Sequence, residues 1–189
     1  MWAALIFLAI LGALAVAIVA TYNALVRLRV QSESAWADID VQLKRRYDLI
    51  PNVVETVKGY AGHERQTLEA VVTARTRAMA AQGPAARAEA EGMLTQALKS
   101  LFALAEAYPQ LRAVESFTQL QATLNQIEEA VQNARRYYNA VVRDLNTKIE
   151  QFPSNLVAGV FAFRPREFFE IAAAAEREVP RVSFEPGPR

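Results

Sequence analysis

The sequence contains no cysteine and a single histidine, His63. Without thiols it has no disulfide framework, no thiolate nucleophile, no iron–sulfur ligation and none of the usual structural zinc sites, and one imidazole cannot supply the several donors a metal needs. Net charge is also nearly missing: 21 basic side chains almost cancel 20 acidic ones, so there is no basic field of the kind that holds nucleic acid. Neither a GxSxG elbow, a phosphate-binding loop nor a Rossmann glycine cluster occurs, and no DxDxD loop supports a calcium or magnesium site. The expectation is a protein that is not an enzyme, with no catalytic residue, no cofactor, no metal and no nucleic-acid partner.

The first charged side chain is Arg27, and what precedes it is the apolar run Trp2 to Ala20. That run is close to the roughly 20 residues that cross a hydrocarbon core as a helix. It has no basic leader and continues past small-residue sites such as Ala13-Leu14-Ala15, which favours an uncleaved span over a signal peptide. Trp2 and Tyr22 stand where interfacial aromatics belong. The lipid bilayer is therefore the first expected partner. Arg27, Arg29, Lys44, Arg45 and Arg46 all follow the span, so the positive-inside rule favours a cytoplasmic C-terminal domain.

Beyond the span the chain reads as helix almost throughout, and the fold expected is all-α: one N-terminal transmembrane helix continuing into an antiparallel four-helix bundle. Leu25, Leu28, Ala35, Trp36, Ile39, Leu43, Tyr47 and Ile50 recur at helical steps, and no Gly or Pro intervenes between Gly12 and Pro51. Pro51 predicts a break or kink and the start of a second helix. Gln82-Gly83-Pro84 predicts a turn and Tyr108-Pro109 the end of a third helix. Phe117, Leu120, Leu124, Ile127, Val131, Ala134, Tyr138, Val141, Leu145, Ile149 and Phe152 give the fourth helix a heptad seam. The expected division is an anchor over 1–21, a bundle over 22–176 and a disordered tail over 177–189, with a short helix near Arg166 to Glu176.

Two stretches, VQLKRRYDLIPNVVETVKGYAGHE from Val41 to Glu64 and NARRYYNAVVRDLNTKIEQFPSNLVAG from Asn133 to Gly159, carry a family likeness. In this order they resemble the LemA family of bacterial membrane-anchored helical proteins, and the likeness runs from Tyr22 to about Phe169. The resemblance implies a single-pass protein of the bacterial cell (inner) membrane, with a four-helix bundle and no established catalytic activity. Relatives with a lipoprotein-type cysteine or a Lys-rich N-terminus imply a domain outside the cytoplasm, opposite to the charge rule. Relatives associated with magnetosome formation imply a role in organising membranes.

Within the first motif, Lys44, Arg45 and Arg46 lie between Asp40 and Asp48, and Asp40–Lys44 and Lys44–Asp48 are four-residue pairs. Three successive helical residues span about 200°, so one arginine is expected to turn inward to Asp40 or to another helix's carboxylate. With Pro51 and Asn52, and with Arg135, Arg136, Tyr138 and Asn139 of the second motif, these form the candidate structural or interaction site. Asn139, inside a heptad run, reads either as exposed or as a buried amide. After Phe152, the residues Phe161, Phe163, Arg164, Arg166, Phe168 and Phe169 are the candidate membrane interface, with the alternative that the rings cap the base of the bundle. Three functions follow: a membrane-anchored scaffold or interaction module with an unknown membrane-associated partner or itself as a homo-oligomer; a lipid-contacting, membrane-shaping protein; and a hydrolase using Glu115 with Asp144, or Glu128 with Glu129. The first is favoured.

Overall fold

The computed structural model describes residues 1–170, all in helices, turns and one extended segment. Helix α1 spans Trp2–Ala61 without interruption. At 1.5 Å per residue it is about 90 Å long. Its apolar first third has nothing packed against most of it, and it is the one helix among the described residues apolar and long enough to cross a membrane. From Leu25 onward the same helix buries a stripe through Ala35, Ile39, Leu43, Tyr47, Ile50, Val53, Val57 and Ala61. This is the heptad-like spacing that seats a helix along a partner.

Of the break or kink expected at Pro51, the break does not occur: proline lies inside the continuous α1, and Pro51 does not start a helix. A proline removes the hydrogen bond to the carbonyl four residues back, here that of Tyr47. That carbonyl instead accepts a hydrogen bond from Arg75 Nε, 2.7 Å away on the next helix. A tertiary donor thus replaces the missing backbone donor, and the ladder continues. The helix stops at Ala61, before Gly62.

Helix α2 (Arg65–Ala80) returns along α1, and α3 (Pro84–Glu106) leaves again. Gly83 takes φ +81° between them and Pro84 opens α3, as the Gln82-Gly83-Pro84 signal predicts. A short α4 (Pro109–Arg112) turns the chain into α5 (Glu115–Glu150), which packs antiparallel to α1 along the whole soluble length. Trp36 lies against Tyr138, and Arg46 against Glu128. The α2–α3 hairpin covers only the distal half of this pair, because its turn lies at the level of Asp40 and Trp36.

In the proximal half, helix α6 (Ser154–Val160) and the extended residues 164–170 take the place of a third and fourth helix. The expected short helix from Arg166 is therefore corrected over residues 166–170. The remainder of that helix and the tail over 177–189 lie outside the described residues. Phe169 is fully buried against Trp36, within the main core. A smaller cluster of Leu25, Leu145 and Ala158, with Val157 and Phe163 beside it, fills the base.

Candidate functional site

The triple-basic motif divides as the helix geometry requires. Lys44 and Arg45 face outward, Arg45 reaching Gln42 at 3.1 Å, and Asp48 is exposed. Arg46 turns inward and is 2% exposed. Its guanidinium donates to Glu91 Oε2 at 2.7 Å and Thr95 Oγ1 at 2.9 Å on α3, and lies 3.0 Å from Glu128 Oε2 on α5. The Tyr47 hydroxyl donates to the other oxygen of Glu91. One arginine thus joins three helices. Burial pushes the Glu91 carboxyl above its usual range, against the opposing pull of Arg46 and Tyr47. Burial also raises the Tyr47 hydroxyl, helped by the Glu91 carboxylate. Asp40 pairs not with Lys44 but with Arg87 of α3, whose guanidinium also lies over the Trp36 ring and donates to the Ala81 carbonyl. Pro51 and Asn52 are exposed.

The second motif grips the extended segment. Asn139 donates from Nδ2 to the Phe169 carbonyl at 3.1 Å and accepts the Phe169 N–H at Oδ1 at 2.9 Å. Asn146 makes the same two bonds with Arg166, each 2.9 Å. The two asparagines are one heptad apart, so they share a face of α5 and match two points on an extended backbone. Tyr138 donates to the Glu167 carbonyl at 2.8 Å, and Arg166 pairs with Glu33 of α1 at 2.5 Å. Burial raises the Tyr138 hydroxyl, so it stays a donor. Arg135 is half-buried, and Arg136 is exposed and bonded to Asn133.

The candidate membrane-interface residues separate. Phe169 is core, and Phe168 is partly buried against it, so neither forms an exposed lipid-facing cluster. Their aromatic area is better satisfied between α1 and α5, where the asparagines hold their backbone. Phe163 is half-buried under Arg29 and beside Tyr22. Phe161 is exposed but lies at a tilt against Tyr22, and Arg164 is exposed. In this region Phe152, Leu156, Val160 and Phe161 are exposed, and the last three lie beside Leu14, Ala17 and Ile18 of α1.

The carboxylate pairs do not assemble. Glu115 and Asp144 stand about 43 Å apart along α5, and Glu128 is engaged with Arg46. His63 is on the surface, hydrogen-bonded to the Tyr108 hydroxyl at 2.7 Å. No cluster of metal-ligating side chains occurs among the described residues.

Glu91, Thr95, Arg75, Arg87 and Glu33 are central to these networks yet lie in no motif, and Asn146 lies within the second motif without being among its candidate residues. A signal for Glu91 exists in the α3 stripe Ala88, Glu91, Leu94 and Leu98, where an acid occupies an inward position. The seven-residue spacing of Asn139 and Asn146 is another.

An all-α bundle rising from one apolar N-terminal helix, tied by a buried arginine cluster and an asparagine-held strap, defines the class. The LemA family model matches residues 35–184, and the chain belongs to the LemA family. It is similar to Magnetosome protein MamQ 2 of Paramagnetospirillum magneticum, with 23% identity covering 84% of this chain and 68% of that protein. Magnetosome protein MamQ of Magnetospirillum gryphiswaldense is 22% identical with the same coverage. Protein LemA of Metamycoplasma hominis is 22% identical, covering 96% of this chain and 81% of its own.

Proposed function

We propose that the protein is a non-catalytic, membrane-anchored scaffold: Trp2 to Ala20 cross the bacterial cell membrane, and the bundle holds an interaction surface away from it. The observation that carries this reading is the continuity of α1, which runs from an unpacked apolar segment into the core of the bundle without a joint. A joint-free helix transmits position and orientation, which suits a post rather than a tethered domain. The polar groups in the centre support a structural role, since Arg46 and Tyr47 are buried and both donate to the buried Glu91 carboxyl. The partner is a membrane protein, a membrane-associated protein or a second copy of this chain.

Alkaline carbonate extraction of membranes carrying the full chain tests the anchor, with a chain lacking residues 1–20 as control. The full chain stays in the pellet and the shortened one is released; a full chain that washes off contradicts the reading. Turnover by the purified full chain on an ester, peptide or phosphate panel, above that of its denatured form, would contradict the non-catalytic part.

A further inference from the structure

One face of the molecule is not absorbed by the bundle. Helix α6 does not end at the level where the apolar segment begins; it packs beside that segment. Between them lies a groove of about 360 Å³, with Leu14, Ala17 and Ile18 on one wall and Leu156, Val157 and Phe161 on the other. Leu14 is seven residues before Thr21, so the groove reaches about 10 Å below the start of the soluble chain. Helix α6 turns Ser154 and Ala158 inward and leaves Leu156 and Val160 outward, 62% and 79% exposed. Phe152 adds a further exposed ring. A soluble monomer seldom collects such side chains on one side. Beside this patch Arg29, which lies over the Phe163 ring, and Arg164 are exposed.

We infer that α6 is a lipid-seated wedge: it lies in the headgroup and upper acyl region of the bilayer, the groove takes a phospholipid acyl chain, and the surrounding arginines meet its phosphate. The inference rests on Trp2 to Ala20 being the span. Two observations fix the occupant as lipid. One wall of the groove is the span itself, so the space is continuous with the hydrocarbon around it. Basic side chains beside it complement phosphates, and apolar side chains facing acyl chains need no other cover. The result is an anchor wider than one helix, which resists tilting of α1.

The absence of cysteine makes the test clean. Single variants V16C, L156C, V160C and Q66C of the full chain are labelled with an environment-sensitive fluorophore and reconstituted in vesicles of phosphatidylethanolamine and phosphatidylglycerol. Each is then exposed to nitroxide-bearing lipid and to aqueous iodide. Val16 reports on the span, Gln66 on the far tip, and Leu156 and Val160 are surface positions whose replacement leaves the core intact. At 156 and 160 we expect lipid quenching comparable to that at 16, and iodide quenching several-fold below that at 66. Lipid quenching at 16 with free iodide access at 156 and 160 overturns the wedge and leaves the anchor standing. Absence of lipid quenching at 16 overturns both. Shielding of 156 and 160 from both quenchers assigns the groove to another protein surface and overturns the lipid occupant.

Discussion

Truncating Arg46 would strand Glu91, a carboxylate 1% exposed, without its guanidinium partner. Breaking one side of a buried pair costs about 3–5 kcal/mol, because the remaining charge is desolvated and uncompensated. Arg46→Ala is therefore expected to lower the urea midpoint far more than Arg29→Ala, whose guanidinium is exposed and loses only its contact with Phe163; equal midpoints would contradict this. Glu91 also sets a pH dependence of unusual sign. Its folded carboxyl holds its proton above the ordinary value of 4.5. As pH rises from that value, the unfolded chain ionises first, and the native state binds more protons throughout the interval. Stability from this group consequently falls with rising pH across the window and is level above it. Urea midpoints of wild type and Glu91→Gln between pH 4 and 8 check this: the wild-type minus variant difference should decline with pH. The Tyr47 hydroxyl, pushed upward by burial, remains a donor throughout.

At the scale of elements, two interactions replace regular structure where the sequence interrupts it. Arg75 takes the carbonyl that Pro51 leaves free. In a cycle of Pro51→Ala and Arg75→Ala, removing Arg75 should cost more in the proline background, where the Tyr47 carbonyl is orphaned, with a coupling of about 0.5–3 kcal/mol by denaturant titration. The second interaction is the asparagine pair. Asn139→Ala and Asn146→Ala each remove two bonds to the strap, and hydrogen exchange should show the Phe169 and Arg166 amides, respectively, losing protection while the α2–α3 hairpin keeps its own. Unchanged protection would contradict the cradle.

These same two places mark where sequence reading stops. The heptad seam from Phe117 to Phe152 foretells α5 because a periodic stripe is a local property of one helix. The Gln82-Gly83-Pro84 turn is equally local, since Gly83 supplies the positive φ. Pro51 reads as a break because its compensating donor lies 24 residues further on, beyond any local rule. The strap has no period: an extended segment held by side-chain amides has no repeat to detect, and its proline and two arginines resemble a loop. An inward arginine follows from three basic residues in succession on one helix, but its partner Glu91 does not, since pairing across helices depends on the offset between α1 and α3.

The molecule as a whole is a long helix pair, α1 with α5, buttressed differently at its two ends. Near the tip the α2–α3 hairpin completes a four-helix cross-section around Arg46. Near the base α6 and the extended strap take the hairpin's place around Leu25 and Phe169. Such a pair keeps its two ends in fixed relation, and the apolar N-terminal segment inherits that stiffness through α1. From Thr21 to Ala61 the helix rises about 60 Å, or a little over 55 Å at a tilt of about 20°. The most direct test is therefore a distance. A donor fluorophore at Q66C of the full chain, reconstituted in vesicles with acceptors on the lipid headgroups, should place the tip about 55–60 Å from the bilayer surface by energy transfer. A tip label lying close against the headgroups, with the chain still inserted, would contradict the account of α1 as a continuous post.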